Sequence, residues 1–127
     1  KTRRKDKPAV FKASAPLKAG TPRQLTKVRE LDLTDDPVGS MLGRITGASI
    51  SPAGDRVVLC GYSLSYEAVL PKSAKSFDEI FSQSWNPINL GQRAQGEGVT
   101  YAADGLTLIA TSEGVPMAVF ITRRELK

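Results

Sequence analysis

The chain has 127 residues, a net charge of +5, one Cys and no His. This length suits one domain with enough chain to bury a core. The absence of His excludes a Ser-His-Asp triad, a Cys-His pair and any His-ligated zinc or haem, and a single Cys excludes an internal disulfide. Catalysis by this chain must therefore depend on carboxylates, a metal ion or residues from another chain.

The positive charge is concentrated at the start of the chain. Residues 1–29 contain ten Lys and Arg and one Asp, a net +9, whereas the remaining residues carry a net −4. We expect residues 1–7 to form a disordered basic arm, of a kind that binds nucleic acid or anionic surfaces. Nucleic-acid sites usually combine cations with stacking aromatics, but Phe11 is the only aromatic residue before Tyr62. A solvated arm is therefore favoured over a nucleic-acid partner.

Nine short segments of alternating or β-branched apolar residues, separated by turn residues, predict strands. In chain order they are expected at about residues 8–13, 25–33, 46–51, 56–62, 66–71, 87–91, 97–102, 106–112 and 117–123. No apolar stretch reaches the length of a membrane span, so none is predicted. Cys60 lies inside the fourth segment, which favours a buried and unreactive thiol.

Residues 72–86 depart from the strand pattern. Ser76 precedes two acidic residues, and Phe77, Ile80 and Phe81 have the i, i+3, i+4 spacing of one helix face. This spacing predicts one or two helical turns with Ser76 as the N-cap. We expect the aromatic side chains of this insertion to pack over the edge of a sheet, in preference to forming a binding surface.

The sequence repeats with an offset of 51 residues. Residues 46–62 align without a gap on residues 97–113, and each copy has a strand, a tight turn ending in Gly and a β-branched strand. A period near 50 residues with four strands per unit is typical of a β-propeller blade. A β-sandwich of seven to nine strands also fits the strand spacing, but it does not require such a repeat. We therefore predict an all-β chain of four-stranded antiparallel propeller blades.

The repeat divides the chain into about two full blades and flanking strands. The predicted parts are the third and fourth strands of a partial blade at 8–33, a linker at 34–45, a full blade at 46–96 with the helical insertion at 72–86, and a last blade at 97–127 without its fourth strand. Propellers close with four to eight blades. We therefore expect a companion chain with the remaining blades, or self-association into a homo-oligomer, to complete the ring.

The turns of the repeat resemble a known family. Ser51-Pro52-Ala53-Gly54 and Ala102-Ala103-Asp104-Gly105 resemble the S-P-D-G turn of TolB-type and WD-repeat-like bacterial propeller blades, although positions 53 and 103 are Ala where Asp and Pro are usual. The segments 95–101 and 111–114 are similar to blades of secreted bacterial propellers, including the esterase-like and phytase-related group. This resemblance implies an extracellular or periplasmic location. The missing initiator Met agrees with a mature or excised start.

Blades serve many unrelated functions, so two hypotheses stay open. The first is a propeller scaffold that binds a partner or ligand. The alternative is a fragment or subunit of a secreted, calcium-dependent hydrolase of propeller type, and whether this chain alone is an enzyme is left open. The two differ in their expected response to Ca²⁺.

Few residues carry candidate chemistry. Glu97 precedes the first strand of the last blade and Glu113 follows its second strand. First strands line the central channel of a propeller, and carboxylates with backbone carbonyls suit Ca²⁺ better than a transition metal. The competing interpretation is a carboxylate that accepts backbone N–H bonds and a solvated loop residue. At the blade ends, Tyr62, Tyr66 and Arg93 are candidate ligand-binding side chains.

Overall fold

The computed structural model describes residues 7–31, 33 and 45–124. The predicted arm at 1–7 lies outside these residues except for Lys7, and the predicted linker at 34–45 lies outside them except for Ile45. The described residues form nine strands: β1 (Ala9–Lys12), β2 (Thr26–Glu30), β3 (Ile45–Ile50), β4 (Arg56–Gly61), β5 (Ser65–Val69), β6 (Asn86–Ile88), β7 (Gly96–Tyr101), β8 (Thr107–Ser112) and β9 (Phe120–Arg123). The all-β class and the nine strand positions are confirmed.

Most strands are shorter than predicted, and β2 differs most, since it covers only Thr26–Glu30 of the expected residues 25–33. Two of the differences have identifiable reasons. Strand β9 begins at Phe120 because Met117–Val119 belong to an exposed connection. Strand β6 ends at Ile88 because Leu90 turns into the core and Gly91 adopts a φ of 84°. A positive φ at Gly91 cannot continue a strand.

The strands form three antiparallel sheets. A two-stranded sheet contains β1 and β2, a four-stranded sheet has the order β3-β4-β5-β6, and a three-stranded sheet has the order β7-β8-β9. Every neighbouring pair is antiparallel and consecutive in the chain. Consecutive antiparallel pairing needs only short connections.

The four-stranded sheet is the middle layer of the described structure. Alternate residues of β4 point to opposite faces, and both faces are buried. Val57 and Leu59 belong to one apolar cluster with Leu31 and Ile80. Val58 belongs to the other, which the three-stranded sheet completes. A strand buried on both faces reads as a continuous apolar run, as β4 does.

The helical segment confirms the prediction for residues 76–82. Phe77–Ser82 form a 3-10 helix that follows Ser76, and the Glu79 carboxylate accepts the backbone N–H of Ser76 at 2.9 Å. Ile80 is fully buried, and the half-buried Phe77 packs against the same cluster. The insertion therefore packs on the face of β4 and β5, the inner strands of the four-stranded sheet, and not over a sheet edge as the sequence predicts. Within the described ranges, no helix is long and apolar enough to cross a membrane.

Candidate functional site

Most of the predicted site residues meet at one end of the sheets. Strands β3 and β7 begin there, and the β4–β5, β6–β7 and β8–β9 connections join them, so we call it the entry end. The backbone N–H of Gly96 donates to the carbonyl of Tyr62 at 2.9 Å, which links the middle sheet to the three-stranded sheet. Arg93, Glu97 and Glu113 lie on the same end. Tyr66 is set deeper, on β5, opposite Leu59.

Arg93 lies inside the protein. Its side chain is 5% exposed, its Nη1 donates to Cys60 Sγ at 2.8 Å and its Nη2 donates to Ser65 Oγ at 2.8 Å. The buried Nε has no acceptor among the described residues. The guanidinium also covers Gly96, where an added Cβ would lie 2.4 Å from Nη1. Arg93 thus ties the β6–β7 connection to β4 and β5, with little surface left for a ligand.

Cys60 is fully buried next to this guanidinium, which confirms a buried thiol. The hydroxyl of Thr46 donates its one hydrogen to the Gly96 carbonyl at 2.7 Å, and the Cys60 carbonyl lies farther from the same oxygen, at 3.2 Å. Thr46 therefore joins the first strands of two sheets. This contact and the Arg93 contacts hold the entry end together.

The two predicted tyrosines differ in exposure. Tyr66 is 7% exposed and lies on the face of β5 that points toward the two-stranded sheet. Tyr62 is half-buried and follows β4 directly in the β4–β5 connection. Of the two, Tyr62 has the greater surface to offer a ligand.

The predicted metal ligands lie at the same end of the β7–β8 hairpin. Glu97 occupies the register shift between Gly96 and Gly98, and its Oε1 atom is buried. Glu113 is exposed and donates its backbone N–H to the Gln95 carbonyl at 2.8 Å. In the part of the chain that the structure describes, no three acidic or Cys side chains form a group that could hold a metal ion. Calcium at Glu97 and Glu113 stays a prediction.

The β8–β9 connection is an exposed apolar surface that sequence reasoning missed. Residues 113–119 are all exposed, with Val115 at 100%, Val119 at 59% and Met117 at 37%. The corresponding β4–β5 connection has only residues 62–64 between its strands. The sequence signal of the β8–β9 connection is the pair Gly114 and Pro116, which flank Val115 ahead of the apolar run at residues 117–121.

The opposite end, where the two tight turns lie, holds a buried charged network. Glu67 is 3% exposed, and Tyr101 Oη donates to its Oε1 at 2.6 Å. Arg124 pairs with Glu67 Oε2, and Arg56 Nη1 lies 3.7 Å from the same oxygen. Burial raises the pKa of Tyr101 to about 12 and lowers the pKa of Arg124.

This network links the middle sheet to the three-stranded sheet, and sequence reasoning missed it. Its sequence signal is a charged Glu67 within the otherwise uncharged strand β5. Because Glu67 pairs with Val58, it points toward the three-stranded sheet. A buried carboxylate at that position requires cationic or hydroxyl partners.

The chain matches no protein-family model, and comparisons with curated proteins and with solved structures find no match.

Proposed function

We propose that this chain is part of a β-propeller scaffold that binds a partner or ligand at its entry end. The observation that supports the proposal most is the equivalence of two hairpins. In β3–β4, Ile45 pairs with Gly61 and Gly47 with Cys60, and in β7–β8 the pairs 51 residues later carry the same register shift. A repeat that preserves even its bulge is expected of successive blades.

The way in which these hairpins pack also supports radial blades. The first strands of the two sheets lie against each other, and β7 also contacts β4. Gly47 makes this approach feasible, since an added Cβ would lie 2.9 Å from the Glu97 carbonyl oxygen. Sheets that approach most closely at their first strands suit an arrangement around a central channel.

Apolar side chains on the two outermost sheets favour completion by further sheets. Ile121 on β9 is 69% exposed, and Phe11 on β1 is 52% exposed. Larger exposed apolar patches mark interaction surfaces. We propose that sheets from a companion chain, or from copies of this chain, cover them in the assembled propeller.

The entry end is the proposed binding face. It combines the half-buried Tyr62 with the exposed apolar side chains of Val115 and Met117, and it carries the Glu113 carboxylate. Apolar contact area with a few polar groups is the usual composition of a recognition surface. The buried Arg93 and Cys60 supply the rigid base of this face.

The assembly is tested by sedimentation velocity of the native material, combined with electron-microscopy class averages. We expect a particle larger than one chain, with rotational symmetry of sheets around a channel. Ile121→Lys places a charge on the outer face and should dissociate it, whereas Val115→Lys, on an exposed loop, should leave it assembled. A stable folded monomer at all concentrations would contradict the scaffold proposal.

A further inference from the structure

The β1–β2 hairpin combines positive charge with exposed apolar side chains. Residues 7–31 contain six Lys and Arg and one Glu, a net +5, whereas residues 45–124 have a net −1. Every residue from Phe11 to Lys27 is exposed. The charge asymmetry predicted for the start of the chain therefore includes a described and solvent-facing hairpin.

Two large apolar side chains project from the connection of this hairpin. Leu17 is 69% exposed and Leu25 is 56% exposed. A cation lies close to each of them in the chain, namely Lys18 directly after Leu17 and Arg23 two residues before Leu25. Exposed apolar groups between cations form the combination that binds an anionic lipid surface, where the apolar groups enter the headgroup region and the cations meet lipid phosphates.

The loop at the tip of the hairpin has a defined conformation. Thr21 donates its backbone N–H to the Lys18 carbonyl at 3.3 Å, and Arg23 Nη2 donates to the Pro16 carbonyl at 3.0 Å. At the base, Arg29 Nη1 donates to Ser82 Oγ at 2.9 Å. An ordered loop on an anchored hairpin loses less conformational entropy when it binds.

The cations at the tip remain available to a ligand. Lys12 pairs with Asp78 and Lys27 pairs with Glu30, so these two strand cations each have an acidic partner. In the described ranges, neither Lys18 nor Arg23 has a carboxylate within ion-pair distance. Within the described part of the chain, the tip therefore presents two cations without an acidic partner, one next to Leu17 in the sequence and one two residues before Leu25.

We propose that the tip of the β1–β2 hairpin, residues 13–25, docks this protein onto anionic phospholipid surfaces. Phosphate groups would bind Lys18 and Arg23, and the Leu17 and Leu25 side chains would enter the headgroup boundary. The composition argues against single-stranded nucleic acid as the main partner, because that interface combines cations with stacking aromatics and Phe11 is the one aromatic residue of the hairpin. Duplex DNA is bound mainly through its phosphates, so the exposed Leu17 and Leu25 side chains favour a lipid surface over it.

Vesicle co-sedimentation of the full chain tests this proposal. We expect binding to phosphatidylcholine–phosphatidylglycerol vesicles, none to pure phosphatidylcholine vesicles, and weaker binding as salt screens the charges. Lys18→Glu should weaken the partition coefficient by roughly 30-fold, because it removes one cation and adds an anion near the surface. Lys72→Glu changes the net charge equally on another exposed loop and should have little effect.

A second pair of variants tests the apolar contribution. Leu17→Ser should weaken partitioning by roughly tenfold, because the lost side chain no longer leaves water, whereas Ile50→Ser, at a 54% exposed apolar residue on the end of β3, should leave it unchanged. Circular dichroism of each variant checks that the sheets persist. Equal losses for Lys18→Glu and Lys72→Glu, no binding to anionic vesicles, or tighter binding to duplex DNA than to vesicles would each overturn the proposal.

Discussion

Hairpins β3–β4 and β7–β8 have the same strand register, but different side chains accept the backbone N–H groups of their turns. In the first turn, Ser51 Oγ accepts the backbone N–H groups of Asp55 and Arg56 at 3.2 and 3.0 Å. In the second, Asp104 Oδ1 accepts those of Leu106 and Thr107, the equivalent residues, at 2.9 and 2.8 Å. The repeat therefore preserves the need for an acceptor and not its position in the turn.

The two hairpins also differ in what covers them. Ile50 ends β3 and is 54% exposed, whereas its counterpart Tyr101 ends β7 and is 8% exposed. Tyr101 is buried because it contacts Glu67 on the middle sheet. Equivalent positions thus contribute differently to stability. The β3–β4 hairpin ends in solvent, whereas the β7–β8 hairpin ends in a buried hydrogen bond between sheets.

The largest expected difference in stability is between alanine substitutions at two equivalent glycines. A Cβ at Gly47 would lie 2.9 Å from the backbone carbonyl of Glu97, and a Cβ at Gly98 would lie 2.6 Å from the side-chain hydroxyl of Thr111. The hydroxyl can rotate away, but the carbonyl belongs to the facing sheet. Urea unfolding should show Gly47→Ala losing about 3 kcal/mol and Gly98→Ala losing about 1 kcal/mol or less. Equal losses would mean that the close approach of β3 and β7 is unimportant.

Tyr101 provides the second test. Tyr101→Phe should cost about 2 kcal/mol, because the Glu67 carboxylate loses a charge-assisted hydrogen bond in a buried site. The matched change at the equivalent exposed position, Ile50→Val, should cost less than about 0.5 kcal/mol. Chemical unfolding of both variants measures the difference. A loss below that of Ile50→Val would show that the Tyr101–Glu67 bond adds nothing to stability.

The same tyrosine predicts an alkaline transition. Its pKa is raised from 10.0 to about 12, chiefly by burial. The unfolded chain then loses the phenolic proton at a lower pH than the folded chain does. The contribution of the protonated Tyr101 to the free energy of unfolding is therefore complete below pH 10 and is lost as the pH rises toward 12. Ultraviolet titration at the phenolate band should show one tyrosine ionising late, and Tyr101→Phe should abolish that step.

The sequence predicts the strands because each depends on local pattern. Alternation and turn residues place β3, β4, β7 and β8 within one residue of their observed bounds. The polar contacts of the interior join residues that are far apart in the sequence. Arg93 is 33 residues from Cys60, and Glu67 is 34 from Tyr101, so no local period joins them. The sequence therefore places Arg93 among the candidate ligand-binding residues but does not reveal its buried partners on β4 and β5, Cys60 and Ser65.

The side chains that accept backbone N–H groups in the two tight turns should have a smaller effect on stability, and the repeat suggests a rescue variant. Ser51→Ala should cost about 1 kcal/mol, because two backbone N–H groups lose their acceptor at a buried site. Position 53 of the first turn corresponds to Asp104 of the second. Adding Ala53→Asp to the Ser51→Ala variant should therefore restore part of the loss, whereas Ala103→Asp, at an exposed position of the other turn, should not. Failure of the rescue would show that the two turns are not interchangeable.

The smallest effect is the pH dependence of the second turn. Hydrogen bonds from the Thr107 side chain, then from the Thr107 and Leu106 backbone, lower the pKa of Asp104 below its ordinary value of 3.8. The carboxylate therefore stabilises the folded chain above that pH, and the contribution is lost as the pH falls through the lowered value. Asp104→Asn keeps one acceptor oxygen but cannot titrate, so its stability should fall less steeply in acid than that of the parent chain. Thermal unfolding from neutral to acidic pH measures the two slopes. Identical acid slopes for the parent chain and Asp104→Asn would show that the charge of Asp104 does not stabilise the folded chain. The second turn would then be stabilised by the hydrogen bonds of Asp104 alone.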